Sequence, residues 1–330
     1  MMEALIKQIN KILKSIDFNA IWSGFSPCAF ALYDSETVCF HDRKMPWDER
    51  FSGNTVIKLD GVPVAIWHVE NLDDIDIERL ASNIVHEMFR AFQHEQGDER
   101  YIDEFALLDY PYDLDNLRLR AAENHYLIKA ITDNSMMDLQ QFIVLREARR
   151  RIIGDIMMQE QRAETLEGMA EYAGLIALNQ ISREKFMEDF QKHISRLRNP
   201  QNMLKIRLVS YSVGCLICFA LKSLGIDFYH NLSDSRTIYE FIPHEPSEIE
   251  TILAKSSQER QARFDNFLEN NRERTEYSGQ ITGFDPMNME KLGNKILCTN
   301  FVMLGKMYIK GPVMLETATG EVRQVVAYTK

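Results

Sequence analysis

A histidine and a glutamate that are able to bind a metal ion and activate a water molecule stand next to each other in the segment 83–94. They are His86 and Glu87, and the apolar residues around them recur with helical spacing. When a second histidine follows the first by four residues on a helix, both side chains chelate one zinc ion, and the glutamate acts as base on the bound water. Here Arg90 occupies that second position. Arginine stays protonated and has no lone pair for a metal, so the spacing alone predicts an incomplete site.

A second segment carries an unusual stripe of carboxylates. Glu160, Glu164, Glu167 and Glu171 are spaced four, three and four residues apart on a predicted helix, so they share one face of it. Like charges at these spacings repel each other by roughly 0.2–0.5 kcal/mol per pair. Either water screens this acidic stripe or cations face it.

These features together resemble the gluzincin-type zinc metallopeptidases. The resemblance covers about residues 55–180: a strand-rich lead-in, V-H-E-M-F at 85–89 on one helix, and E-G-M-A-E-Y at 167–172 on another. It implies a zincin-like fold in which His86 is the first zinc ligand, Glu87 is the general base and Glu167 is the third ligand, from a downstream helix. Arg90 departs from the family pattern, because it stands where the second ligand is expected.

The resemblance extends more loosely to three further residues. Glu164 and Glu171 flank Glu167 at helical spacing and are expected to support the site. Tyr211, in the sequence Y-S-V-G, is similar to a family position where a phenol stabilises the oxyanion of the tetrahedral intermediate. The alternative for Tyr211 is an ordinary role in helix packing.

Three interpretations of Arg90 remain open on the sequence. In the first, zinc is lost and the guanidinium pairs with Glu167, which supplies the positive charge that the buried carboxylate needs. This gives an intact but non-catalytic fold, a pseudopeptidase that binds a peptide or protein ligand. No cofactor is expected in that case. We favour this interpretation.

In the second interpretation zinc is retained by an atypical ligand, and the protein is an active zinc-dependent peptidase. His94 lies ~12 Å along the helix from His86, too far to share one ion. His125, on a neighbouring predicted helix, is the alternative ligand. In the third interpretation the segment belongs to an unrelated helical fold, and the protein has a structural or interaction role.

Hydrophobic periodicity predicts an α+β protein that is mostly helical. Residues 1–75 are expected to form a helix and an antiparallel sheet, with a hairpin at Asp60-Gly61. A helical zincin-like region follows over 76–271, with an interruption near Gly154, and a small β unit over 272–330 ends the chain. We expect the three parts to pack as one structural whole.

Charge and cysteine usage narrow the class of protein. The net charge of −11 is the opposite of what binding to nucleic acid or to an anionic membrane surface requires. The longest uncharged apolar stretch, Leu208 to Leu221, is shorter than a membrane-spanning helix. Cys215 and Cys218 lie within it and are expected to be buried thiols. These features predict a cytoplasmic protein without nucleic-acid or membrane partners.

Overall fold

The computed structural model describes residues 2–70, 74–229, 232–243, 248–270, 275–317 and 325–329. The chain divides into two compact units, Met1–His244 and Glu245–Lys330. This division differs from the boundary expected at 271/272, because the helix that starts at Glu248 groups with the C-terminal strands. Helical periodicity shows that a segment has an apolar face, but it does not show which core that face joins.

The first unit combines a five-stranded sheet with eight α-helices among its described residues. The strands are β1 (Ala29–Tyr33), β2 (Thr37–Cys39), β3 (Lys44–Pro46), β4 (Thr55–Leu59) and β5 (Val62–His68). The helices are α1 (Met2–Leu13), α2 (Phe18–Ile21), α3 (Ile77–Glu95), α4 (Leu114–Thr132), α5 (Met136–Ile153), α6 (Ile156–Ile181), α7 (Arg183–Arg198) and α8 (Ile206–Ser223). The predicted α+β class with a predominance of helix is confirmed.

The N-terminal sheet is mixed, and the prediction of a purely antiparallel sheet was wrong. The strand order is β3-β2-β1-β5-β4, and β1 pairs with β5 in parallel. Parallel neighbours need a crossover connection, here made by β2, β3 and β4, and local sequence patterns do not reveal such pairing. The β4–β5 hairpin is confirmed: Asp60 and Gly61 both have positive φ, 52° and 81°, as a two-residue turn of the mirror-image type requires.

Alternation along the strands gives the sheet two buried faces. In β1, Phe30 and Leu32 join the main core with the helices, whereas Ala31 and Tyr33 join a smaller cluster on the other face. Phe51, from the segment between β3 and β4, is fully buried in that second cluster. Burial on both faces holds the sheet firmly beneath α3.

Local signals set the limits of the helix that carries His86. The carboxylate of Asp76 caps the N-terminus of α3 by accepting from the backbone N–H of Arg79 at 3.2 Å. Gly97, with φ of 79°, follows the last turn. The apolar face of α3 packs in the main core, where Val85 and Phe89 are fully buried. His86 and Glu87 lie next to these apolar residues on α3, and both side chains are buried.

Two glycines allow α6 and α8 to approach each other very closely. A methyl group built on Gly214 would stand 1.8 Å from the carbonyl oxygen of Glu164, and one on Gly168 would stand 2.4 Å from the Cα of Gly214. Only hydrogen fits at this crossing. The close approach brings the second half of the acidic stripe on α6 against the side chains of α8.

The second unit contains α9 (Glu248–Asn270) and eight strands among its described residues. The strands are β6 (Thr275–Gly279), β7 (Ile281–Phe284), β8 (Met289–Leu292), β9 (Lys295–Cys298), β10 (Phe301–Leu304), β11 (Met307–Lys310), β12 (Val313–Thr317) and β13 (Val325–Thr329). They form a three-stranded sheet, β11-β10-β7, and a five-stranded sheet, β6-β13-β12-β9-β8. The sequence also predicts a turn at Thr319-Gly320, and these two residues lie outside the described part of the chain.

Helix α8 is long and apolar enough to cross a membrane by length and composition, and it is the one such helix among the described residues. However, 67% of it is buried inside the protein, as in the core helix of a soluble protein. Cys215 and Cys218 are both fully buried free thiols on this helix, as predicted.

Candidate functional site

The helix of His86 and the helix of the acidic stripe meet. The Nε2 atom of His86 lies 3.6 Å from Oε2 of Glu167, and its Nδ1 atom lies 3.0 Å from Oε2 of Glu171. Both nitrogens of one buried imidazole thus face carboxylates on consecutive turns of α6. The structure brings together residues that are 81 and 85 positions apart in the sequence.

Glu167 is surrounded by cations. The Nε atom of Arg90 is 3.7 Å from Glu167 Oε2, an ion pair too long for a hydrogen bond. Arg207, on α8, donates from Nη2 to Glu167 Oε1 at 3.1 Å and is the closer arginine. Arg207 was not among the residues predicted for the site, although its position four residues before Tyr211, on the same face of a helix, was a usable signal.

Glu171 is held between two histidines. Its Oε2 atom faces His86, and its Oε1 atom lies 3.3 Å from Nε2 of His193, on α7. The other ring nitrogen of His193 lies 3.0 Å from the hydroxyl oxygen of Ser212. Nothing in the spacing of His193 indicated this role, because α7 is separate from both predicted site helices.

These contacts shift the pKa values of the site in opposite directions. Burial lowers the pKa of His86, but the facing carboxylates of Glu167 and Glu171 outweigh that effect and raise it to about 10. Burial raises the pKa of Glu87 to about 7, although the charge of His86 opposes this. For Glu167 burial is outweighed by the interaction with His86 and the charge of Arg90, and its pKa falls to about 2. These contacts favour the protonated form of the His86 ring.

Tyr211 lies at the site, where the loose resemblance placed it. Its ring stacks on the imidazole of His86, with centroids 6.0 Å apart and planes 10° apart. The guanidinium of Arg207 lies 5.5 Å from the centre of the same ring. Burial, and then the negative charge of Glu167, raise the pKa of the Tyr211 phenol. The side chain is half-buried and remains a hydrogen-bond donor at neutral pH.

The first half of the acidic stripe is also paired, but with a different set of residues. Glu164 forms an ion pair with Arg146, and Glu160 receives a hydrogen bond from Arg149 Nη2 at 2.7 Å. Glu123 on α4 bridges the two arginines, at 3.2 Å from Arg146 Nε and 2.5 Å from Arg149 Nε. All five side chains are almost completely buried.

Two expectations about these charges need correction. Glu164 does not support the His86 site by direct contact, since its described ion pair is with Arg146. Three consecutive arginines such as Arg149-Arg150-Arg151 are by sequence typical of a solvated helix face. Arg149 is nevertheless fully buried. Arg149 is stabilised in the core by ion pairs with Glu123 of α4 and Glu160 of α6, because each buried charge needs an opposite partner.

A cleft of about 600 Å³ runs beside the site, between the edge strand β4 and the helix α3. Thr55, Val56, Ile57 and Lys58 form its strand wall. Arg90, Gln93 and His94 of α3 line it on the helix side, and Tyr101 and Leu166 line it as well. Arg90 is thus shared by the cleft and by the ion cluster around Glu167.

The candidate metal ligands near His86 do not complete a three-ligand zinc site. Of the three positions that the resemblance names as ligands, His86 and Glu167 carry ligand-type side chains, and Arg90, at the second position, cannot coordinate a metal. Within the described ranges no group of three or more His, Cys, Asp and Glu side chains is arranged to hold a metal ion. His125, the alternative ligand, is exposed on α4 with its ring edge-on to Tyr126.

No protein-family model matches the chain, no curated protein matches it, and no solved structure matches it.

Proposed function

We propose that this protein is a zinc-metallopeptidase-like protein with a degenerate metal site, a pseudopeptidase that binds a peptide without cleaving it. The observation that carries the proposal is the pair of arginines at Glu167. Arg90 and Arg207 both face the carboxylate that the resemblance identifies as a metal ligand. Two guanidinium groups supply the positive charge that zinc brings in the active enzymes.

The carboxylates on both sides of His86 support the same proposal. A histidine binds a metal ion through a neutral ring nitrogen, and an imidazolium ion has no free lone pair. Glu167 and Glu171 each face one ring nitrogen, at 3.6 and 3.0 Å, so each N–H of a protonated ring would face a carboxylate. This arrangement stabilises the cation, and a metal ion would have to compete with a proton for the ring.

The open edge of β4 supports binding of an extended peptide. In a two-residue hairpin the residues next to the turn, Leu59 and Val62, form a hydrogen-bonded pair, and bonded and non-bonded pairs alternate beyond them. The backbone groups of Val56 and Lys58 therefore point away from β5, at the outer edge of the sheet. Both residues line the cleft. An added strand would find unpaired donors and acceptors there.

One observation favours the second candidate, an active zinc peptidase with an atypical ligand. Histidines that bind zinc commonly hold a carboxylate on their other ring nitrogen, and Glu171 occupies that position beside His86. The third candidate, an interaction protein on an unrelated helical fold, assigns no role to the meeting of His86, Arg90 and Glu167. We retain the pseudopeptidase as the leading proposal because it accounts for both arginines.

A metal analysis of the untreated protein tests the loss of zinc. We expect well under one equivalent of zinc and no hydrolysis of a casein or mixed-peptide substrate. A stoichiometric zinc ion together with proteolysis that EDTA abolishes would overturn the proposal in favour of the active enzyme.

A backbone substitution tests the peptide cleft. In Val56→Pro the outward N–H of β4 is lost, while the strand keeps its extended conformation and its ladder with β5. We expect this variant to lose most binding to an array of synthetic peptides. The control Val56→Thr keeps the N–H and the branched side chain, and should bind like the wild type. Equal binding by both variants would argue against strand addition at β4.

Two further expectations belong to the same proposal. All five cysteines are free thiols, which is the usual state in a reducing compartment, so we propose a cytoplasmic location. The partner is a peptide or a peptide segment of a protein, without nucleic acid or membrane.

A further inference from the structure

A buried hydrogen-bond donor among the residues that line the cleft has no acceptor. The side chain of Gln93 is 1% exposed and lines the cleft between β4 and α3. Its Nε2 atom has no hydrogen-bond partner among the residues that the structure describes. Such a donor costs stability in the free protein, and native proteins rarely leave one without a reason.

The orientation of this amide is fixed by Arg90. The Nη1 atom of Arg90 donates to Oε1 of Gln93 at 3.1 Å. A guanidinium group has donors alone, so the amide oxygen must face it and the NH₂ group must turn away. Exchanging the oxygen and nitrogen of the amide would place two donors against each other. The NH₂ group of Gln93 therefore remains available as a hydrogen-bond donor.

The positive charge of Arg90 is incompletely neutralised. Its Nε atom is 3.7 Å from Glu167, which already accepts a hydrogen bond from Arg207, and a quarter of the Arg90 side chain is exposed. Asp98, an acid that lines the cleft, is held by Arg100 at 2.6 Å. Lys58 adds a cation to the strand wall, and Glu95 is an exposed acid at the opposite wall. An anion entering beside Arg90 would meet a charged donor and a neutral donor three residues apart on one helix.

We propose that Arg90 and Gln93 form a subsite for the C-terminal carboxylate of a peptide that lies along β4. This inference rests on the proposed peptide-binding function and names the part of the peptide that the site recognises. Two donors on one helix turn match the two oxygens of a carboxylate, whereas a main-chain amide inside a peptide offers one oxygen. Gln93 and Leu166 are buried side chains that line the same cleft.

The test uses the full-length protein and synthetic octapeptide arrays of random sequence. Each sequence is displayed through its N-terminus in two forms, with a free C-terminal carboxylate and with a C-terminal amide. Peptides that bind are then measured in solution by fluorescence anisotropy. We expect the acid form to bind at least about tenfold more tightly than the amide form of the same sequence.

Variants assign the effect to this pair of residues. Gln93→Met keeps the volume of the side chain and removes the donor, and should weaken binding of the acid form by about tenfold and so remove most of its advantage over the amide form. Gln96→Met, at an exposed position after α3, is the matched control and should bind like the wild type. A thermal melt followed by circular dichroism confirms that each variant folds. If Gln93→Met does not fold, Arg90→Lys keeps the charge, loses the planar fork and should show the same selective loss.

The outcomes separate this inference from the proposed function. Equal binding of acid and amide forms would leave peptide binding intact and overturn the carboxylate subsite. Tight binding of amidated peptides through an internal Asp or Glu would also overturn it. Selectivity for the acid form that Gln93→Met does not change would place the subsite elsewhere. No binding to either form would reject the peptide-binding function and this inference with it.

Discussion

At the scale of single residues, the acidic stripe on α6 shows that the buried carboxylates of this protein are paired with cations. Each of its glutamates faces at least one buried or half-buried cation: Arg149 for Glu160, Arg146 for Glu164, Arg207 for Glu167 and His86 for Glu171. Cations, and not water alone, therefore face the stripe. A buried carboxylate without a partner is costly, so these four positions constrain the residues on three other helices, α3, α5 and α8.

Replacing the arginine in the incomplete motif tests the family resemblance directly. Arg90→His places an imidazole four residues after His86, on the same helix face and near Glu167. We expect zinc affinity to rise at least about tenfold, equivalent to about 1.4 kcal/mol, because the variant regains a third ligand and loses a competing cation. Competition with a chromophoric chelator measures the affinity.

The control for this experiment is Arg118→His, at an exposed position on α4, which should bind zinc like the wild type. If Arg90→His gains no affinity, the geometry around His86 is not that of a zinc peptidase, and the resemblance fails.

A second prediction at this scale concerns the buried ion cluster. Arg149→Met removes the cation that holds Glu123 and Glu160 and leaves both carboxylates incompletely paired. We expect the free energy of unfolding to fall by about 3–5 kcal/mol, measured by urea denaturation. Arg151→Met, two residues away and exposed, should change it by less than about 0.5 kcal/mol. Similar losses in the two variants would contradict the assigned burial.

At the scale of secondary-structure elements, the crossing of α6 and α8 decides where the site residues stand. Glu167 and Glu171 belong to α6, while Arg207 and Tyr211 belong to α8, and Gly168 meets Gly214 at the crossing. Larger residues at either glycine would move the helices apart. The ion pair between Arg207 and Glu167 and the stacking of Tyr211 on His86 both depend on this spacing.

Substitution at the crossing should therefore affect stability strongly. In Gly214→Ala the new methyl group would stand 1.8 Å from the carbonyl oxygen of Glu164, so the backbone must shift. We expect a loss of about 1–3 kcal/mol or more in the free energy of unfolding. Gly174→Ala, elsewhere on α6, meets its nearest atom at 3.1 Å and should lose less. Chemical denaturation ranks the two variants, and the reverse order would argue against the close crossing.

At the scale of the whole molecule, the candidate site is formed by residues of the first unit alone. Every residue of the cleft and of both ion clusters lies in Met1–His244, which has its own large hydrophobic core. The Glu245–Lys330 unit has two clusters of its own, around Val302 and Val313 and around Phe264 and Met314. Separate cores are what independently stable units require.

Truncation after His244 tests this separation. We expect residues 1–244 to unfold cooperatively in a thermal melt, because their core does not need the second unit. In the anisotropy assay they should bind peptides with an affinity within about twofold of the full-length protein. Aggregation of the shorter chain, or loss of a cooperative transition, would show that the second unit completes the fold.

The sequence by itself determined the features that depend on neighbouring residues. The period of 3.6 residues located α3 and α6, Asp60-Gly61 located a hairpin, and Gly154 located the break between α5 and α6. The same local reading found His86, Glu87, Arg90 and the glutamates of the stripe. Helix faces and two-residue turns depend on residues only a few positions apart, so they can be recognised from regular patterns in the sequence.

The tertiary structure alone decided which of these residues meet. The parallel pairing of β1 with β5, the hydrogen bond of Arg207 to Glu167 and the contact of His193 with Glu171 join distant parts of the chain. It also placed Arg149 in the interior, where sequence alone indicated an exposed face. Contacts between separate elements follow from how their faces pack and from the need of every buried charge for a partner, and neither leaves a spacing that the sequence displays.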